Sequence, residues 1–392
     1  MSIGNFSKPE RRELGSIGTL WFKGQPFKKT DIVETGKYPC LHYGELFSKY
    51  GAIIDSVSSR CYVPPKRLSQ KGDILFPASD VTPAGLTRCS AIMQEDVILG
   101  GDVIGFRPQT GLNPIYLSYA IRHQKDQLLQ RVTGALIKHI SAKSLQSVII
   151  PIHPIESQNR FEKQVRHLNR IISHRRTQLA KLDELVKCRF VEMFKHADFP
   201  KEVLSSNVTE MFIGPFGSSL KNECFVSQDE AYCVVYEQKH AILKSIEMQF
   251  RYVNYDKYNE LKRFTILPGD LIMSCRGTIG EMFIVPPNAP LGIMHPSIMK
   301  IRLNEKSYDS MFFFYLLSDF MEKNMDKSNG GVVKMAITAK SLGNTYFSKP
   351  PLELQQTFSS FVRRIDKLRF DIQKSLNETQ KLFDSLMQEY FD

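Results

Sequence analysis

A chain of 392 residues is longer than one ordinary hydrophobic core needs, so two domains is the starting expectation. Apolar residues make up 42% and charged residues 24% with no biased tract, which excludes a disordered or fibrous chain. The formal charge of +11 points to an acidic polymer as partner, because lysine and arginine that neutralise phosphates release counterions.

An anionic membrane would meet the same charge sum. The opening residues Lys8, Glu10, Arg11, Arg12 and Glu13 do not resemble a signal peptide, however, and the longest strongly apolar run, Met311 to Leu317, is too short to span a bilayer. No membrane and a cytoplasmic location are expected. The seven cysteines, Cys40, Cys61, Cys89, Cys188, Cys224, Cys233 and Cys275, stand singly without zinc spacing and read as reduced, mostly buried apolar groups, with no metal.

From about residue 15 to 150, short β-branched and aromatic runs alternate with Gly, Pro, Asn and Asp, the pattern of an α/β domain with a bent sheet. Within it, Lys71-Gly72-Asp73-Ile74-Leu75 is a turn entering a strand, and apolar spacing predicts a helix over Ile115 to Leu129. Gly134 is followed by Ile140-Ser141-Ala142-Lys143-Ser144-Leu145, read as a strand entry, and then by Pro154-Ile155-Glu156-Ser157-Gln158. A long helix begins there, with Phe161, Val165, Leu168, Ile172, Arg175, Leu179, Leu182, Val186, Arg189 and Met193 at alternating spacings of four and three.

The plan then repeats at a constant offset of 197: Gly134 with Gly331, Leu145 with Leu342, Gln158 with Gln355, Asp73 with Asp270 and Phe194 with Phe391. Residues from about 205 to 350 carry the second α/β domain, with Pro268-Gly269-Asp270-Leu271-Ile272 and a helix over Tyr308 to Lys323. Gly331 precedes Ile337-Thr338-Ala339-Lys340-Ser341-Leu342 and Pro351-Leu352-Glu353-Leu354-Gln355. The second long helix sets Phe358, Val362, Ile365, Arg369, Ile372, Leu376, Thr379, Phe383, Leu386 and Tyr390 in the same rhythm. The domains read as 1–152 and 198–349, with helical spacers at 153–197 and 350–392.

A seam averaging about 3.5 residues per turn is that of a coiled coil. Two helices of about 37 residues, roughly 55 Å each, have the length to pair antiparallel about a pseudo-twofold axis and hold two unlike domains apart along DNA. Such a rod is a ruler, and the site it implies is two short blocks with an unread gap. The alternative is that each helix packs only on its own domain.

The order of domain, Gly…Ile-(Ser/Thr)-Ala-Lys-Ser-Leu, Pro-(Ile/Leu)-Glu-x-Gln and long helix, all repeated, resembles the specificity subunit of type I restriction-modification systems. Gly214-Pro215-Phe216-Gly217-Ser218-Ser219-Leu220 and Gly269 to Gly277 look like that family's target recognition domains, and Phe22 to Lys29 is a looser counterpart. The resemblance implies a non-catalytic subunit bound to double-stranded DNA, two methyltransferase subunits and the nuclease and translocase restriction subunits. S-adenosylmethionine, ATP and magnesium belong to those partners, so no cofactor is expected here.

Base reading needs Arg or Lys for guanine, Asn or Gln for adenine, and Ser or Thr for either. In the second domain the candidates are Ser218, Ser219, Lys221, Arg276, Thr278 and Lys334. In the first they are Lys23, Lys28, Lys29, Arg60, Lys66, Arg67, Arg88 and Lys138, most of them for phosphate alone. Lys143 and Lys340 recur at equivalent positions, suiting either backbone binding or a salt bridge from domain to helix. The bland alternative for each is a solvated loop residue. Glu156, Glu353, Gln158 and Gln355 read as helix N-terminal carboxylates and caps. Lys163, Arg166, Arg170, Arg175 and Arg176 suit a solvated face or a methyltransferase surface better than DNA, and Arg175 and Arg369 on the seam are expected to snorkel or pair with acids such as Asp366 or Asp371.

Enzyme readings fare worse. The double prolines follow Val63, Val285 and Lys349, where a base methyltransferase needs Asn or Asp, and no phosphate loop of the ATP-motor type is present. Glu237-Gln238-Lys239 with Asp229 upstream is a weak nuclease match. A nuclease and a protein-only scaffold remain the two alternatives.

Overall fold

The computed structural model describes residues 9–276, 278–326 and 338–392. They form two compact units, Met1–Arg176 with Lys374–Asp392, and Thr177–Gln373.

In the first unit, a sheet runs in the order Gly18–Lys23, Val103–Pro108, Ile74–Pro77, Ser90–Ile92 and Ile53–Ile54, antiparallel except at its last pair. A three-stranded sheet of Arg60–Cys61, Tyr38–Leu41 and Ile98–Leu99 stands beside it, and Glu10–Glu13 pairs with Ile149–Ile152. In the second unit the order Val208–Ile213, Ile298–Leu303, Leu271–Ser274, Met282–Ile284 repeats the centre of that sheet. A second sheet of Arg251–Val253, Cys233–Tyr236, Gly292–Met294 and Thr265–Ile266 follows, and Lys201–Val203 pairs with Tyr346–Ser348.

The Gly-Asp landmark has the same structural role in both units. Gly72 and Gly269 sit at φ +94° and +87°, where a side chain strains the backbone, and turn the chain into the central strand. The aspartate that follows is buried, accepts from the backbone N–H three residues earlier, and receives a two-pronged arginine: Arg107 on Asp73 at 2.8 and 2.9 Å, Arg302 on Asp270 at 2.7 and 2.8 Å.

The helix expected over Ile115 to Leu129 is two, Pro114–His123 and Lys125–Leu129, because Gln124 leaves helical geometry between them. Asn113 starts the first by accepting from the N–H groups of Ile115 and Tyr116, with proline at its first position. Its counterpart is Ser310–Asp326, started by Asp309 accepting from Met311 and Phe312. The Ile-(Ser/Thr)-Ala-Lys-Ser-Leu landmark is a helical turn rather than a strand entry. Ser141 caps Ala142–Gln146 and Thr338 caps Ala339–Gly343, and the strand comes after. Gly331 and Ile337 lie outside the described residues.

The long helices are Ile155–Phe194 and Leu352–Phe391, 40 residues each. In the first unit the early part of the first helix meets the late part of the second: Phe161 and Val165 share a core with Leu386, Tyr390 and Phe391, the Phe161 ring lying 5.0 Å from Tyr390 and 5.2 Å from Phe391. In the second unit the late part of the first helix meets the early part of the second. There Val186, Phe190 and Phe194 share a core with Phe358, Val362 and Ile365, and Phe358 lies 5.6 Å from both Phe190 and Phe194. The helices therefore pack on each other antiparallel, and the alternative in which each lies only on its own domain is set aside. Leu168, Ile172, Leu179, Leu182, Ile372, Leu376 and Phe383 are each buried or half-buried. At its end the first helix buries Phe190 and Phe194 in place of the expected Arg189, with Met193 half-buried against the same core, since a straight helix of 3.6 residues per turn drifts off a 3.5 repeat.

Gln158 and Gln355 are not caps of their own helices. Buried Gln158 accepts from the Asn113 N–H at 2.9 Å and donates to the His153 carbonyl at 2.7 Å. Gln355 accepts from the Asp309 N–H at 2.9 Å and donates to the Ser307 and Pro350 carbonyls. Each glutamine clamps the start of a long helix to the start of its unit's shorter helix.

Candidate nucleic-acid interface

One end of the central sheet gathers loops in both units. In the second, Gly214 N–H donates to the Ile298 carbonyl and Cys275 N–H to the Ser297 carbonyl, so the chain leaving Ile213, the chain leaving Ser274 and the turn entering Ile298 lie together. In the first, Gly24 N–H donates to the Val103 carbonyl and Ala78 N–H to that of Asp102, the same arrangement.

In the second unit this end holds exposed Ser218 and Lys221, half-buried Ser219 in the turn Gly217–Ser219, and exposed Arg276 and Thr278. Ser274 fastens the chain around Thr278, its hydroxyl donating to the Thr278 carbonyl and accepting from the Glu281 N–H. His295 faces the same end, its ring bonded to Ser297 at 2.7 Å. Burial pushes its pKa down, as do Arg251 and Arg276, against the pull of Glu237. Lys334 lies outside the described residues.

In the first unit, exposed Lys23 ends its strand here, and buried Gln25 draws in a second loop by accepting from the N–H groups of Lys66 and Arg67 at 2.6 and 2.9 Å. Lys23, Lys66 and Arg67 are thus brought together. The strand Ser79–Asp80 takes the place of Arg276 and pairs with Lys138–His139. Lys138 spends its ammonium on the Gly134 and Ala135 carbonyls. Arg60 donates to the Gly36 and Lys37 carbonyls and Arg88 to that of Phe47, so both hold other loops in place. Lys28 and Lys29 are exposed around the turn Lys29–Asp31. Lys143 and Lys340 are exposed on their helical turns, and neither forms an ion pair among the described residues.

Several charges elsewhere are paired within their own unit. Arg166 binds Glu162 and Asp55 at 2.9 Å, and Arg369 binds Asp366 and, at 2.7 Å, Asp183. Glu237 is held by Arg251 and Lys239. Burial pushes its pKa up, but those two cations outweigh it and leave it below the ordinary glutamate range. Among the described residues no three His, Cys, Asp or Glu stand together to hold a metal ion, and no helix is long and apolar enough to cross a membrane. A cavity of about 480 Å³ near the opposite end of the second unit's sheet is lined by Glu210, Lys262, Arg263, Lys300 and Arg302.

Repeated sheets, repeated anchors and unlike loops at one sheet end define a tandem recognition protein. A family model described as the type I restriction modification DNA specificity domain matches residues 7–183 and again 221–381, and the chain belongs to that family. The chain is 23% identical over 329 residues to the putative type I restriction enzyme MjaX specificity subunit of Methanocaldococcus jannaschii, across 81% of this chain and 76% of that relative. To the MjaVIII specificity subunit of the same organism it is 21% identical over 296 residues, across 70% and 69%.

Among solved structures it is similar to the S subunit of a type I restriction-modification system from M. genitalium, with a TM-score of 0.57 at 14% identity over 100% of this chain and 98% of that one. A structure described as the basis of complex assembly and conformational transition of the type I R-M system gives a TM-score of 0.58 at 16% identity over 99% of each. These likenesses show a shared fold. The chain's role, as its family defines it, is recognition of DNA sequence.

Proposed function

We propose that the chain reads a bipartite, asymmetric site on double-stranded DNA and brings partner methyltransferase and restriction subunits to it, while performing no chemistry itself. The observation that carries this reading is the duplication. Two units keep the same sheet, the same Asp–Arg anchor and the same glutamine clamp, yet present different residues at the same sheet end, as two readers of unlike blocks require. Ser218, Ser219, Lys221, Arg276 and Thr278 read or hold one block, and Lys23, Lys66 and Arg67 the other. Lys28, Lys29, Lys143 and Lys340 are exposed cations suited to phosphate. Two methyltransferase subunits, one for each half of the repeat, suit the duplicated plan. S-adenosylmethionine, ATP and magnesium are theirs and the restriction subunits' to use.

Mapping methylated motifs in cells that express the chain with its methyltransferase tests the reading. Exchanging residues 205–350 for another such domain changes one block and leaves the other. A change in both blocks, or in neither, contradicts it. DNA cleavage by the purified chain with magnesium, lost in Glu237→Ala, would favour the nuclease alternative instead.

A further inference from the structure

Among the described residues, the most exposed large apolar side chain of the first unit is Leu136, 90% exposed, and that of the second is Phe216, 86% exposed. Single apolar residues at a surface are ordinary, but these two, on different loops of the repeat, stand at the same end of their units' central sheets. Phe216 stands two residues beyond Gly214, where the strand Val208–Ile213 ends beside the start of Ile298–Leu303. Leu136 stands in the loop before the strand Lys138–His139, which pairs with Ser79–Asp80 just past the end of Ile74–Pro77 and beside the start of Val103–Pro108. Both tips therefore crown the sheet end that gathers the cationic loops. Val81 and Ile137, on the two paired strands' flanks, extend the first tip at 74% and 55% exposure.

Both loops are braced. Lys138 ties the Gly134 and Ala135 carbonyls at 2.8 Å, and Thr133 and His139 exchange backbone bonds around the turn. Ser219 N–H donates to the Phe216 carbonyl at 2.9 Å, Pro215 is buried, and a Cβ at Gly214 would lie 2.3 Å from the His295 carbonyl oxygen, which fixes the loop against its neighbour. An apolar point held out among lysine and arginine has no complement in phosphate. The faces and methyl groups of bases, reached through a groove, do complement it.

We propose that Leu136 and Phe216 are apolar wedges, one per unit, that enter the DNA at each recognised block and part a base step. The inference rests on the DNA-reading function above and adds to it a mode of contact. A partner that methylates a base must draw it from the stack, and a step already parted lowers that cost.

The test uses the full chain in complex with its methyltransferase, on duplexes carrying 2-aminopurine at successive positions of each mapped block. The native complex raises the fluorescence at one step per block. Phe216→Ala abolishes the rise in one block only, Leu136→Ala in the other, and Phe216→Trp keeps it. Each alanine weakens binding roughly tenfold with an unchanged salt dependence, whereas Lys221→Ala lowers the slope of log affinity against log salt by about one. A native complex that binds its site selectively without any rise overturns the wedge and leaves the DNA-reading function standing. Loss of methyltransferase from the Phe216→Ala complex on gel filtration also overturns it, by showing that the tip docks protein. A native complex with no sequence-selective binding overturns both.

Discussion

At the scale of single residues, the two units differ most instructively beneath the central sheet. In the second, Lys300 lies opposite Phe212, fully buried, donating to Glu210 at 2.5 Å and to the Thr265 carbonyl, with its ammonium 4.6 Å from the Phe212 ring centre. In the first, the residue opposite Phe22 is Gly105, and the phenylalanine ring fills the space so closely that a Cβ there would lie 2.1 Å from it. The fold thus works with or without the buried cation. We expect Lys300→Met to change the unfolding free energy by less than about 1 kcal/mol, and Glu210→Ala, which strands the ammonium, to cost about 3 kcal/mol, both read by urea unfolding. Equal costs would contradict this. Glu210 also sets an acid limit: burial pushes its pKa up, but Lys300 and Arg302 outweigh that and hold it below the ordinary value. Its contribution is complete above the unfolded glutamate pKa of about 4.3 and lost as pH falls through the lower folded value. The acid unfolding midpoint should rise in Arg302→Met.

At the scale of elements, the glutamine clamps decide how each long helix leaves its unit. Removing either leaves a buried N–H and one or more carbonyls unpaired, so Gln158→Leu and Gln355→Leu should each cost about 2–3 kcal/mol and lower the melting temperature, whereas Lys143→Ala and Lys340→Ala on the exposed neighbouring turn should leave it unchanged. Equal effects at the four positions would count against the clamp. The sequence makes the repeat legible because its landmarks are residues that packing does not allow to drift: the positive-φ glycine, the buried aspartate, the clamp. The arginine partners escape notice because Arg107 and Arg302 are 195 apart rather than 197, so a small length change between landmarks hides the match. The break at Gln124 carries neither glycine nor proline to announce it. The role of Phe190 and Phe194 is obscured by reading a strict 3.5-residue repeat to the end of a helix of 40 residues, over which the buried face drifts. The bare tips at Leu136 and Phe216 are invisible in sequence, where an apolar loop residue near a glycine looks the same whether buried or exposed.

At the scale of the whole molecule, a charge of +11 carried by exposed lysines and arginines of the loops and of the first long helix suits binding that weakens steeply with salt. The two 40-residue helices, packed on each other antiparallel in both units, give the proposed bipartite reading its measure. The most direct measurement is the methylation motif of a chain lengthened by one helical turn in both helices, four residues each, after Arg176 and after Gln373. A turn adds about 6 Å, close to two base pairs, so the unread gap should widen by about two while both blocks keep their letters. A gap of native length, or any altered letter in a block, would contradict helices that set the spacing.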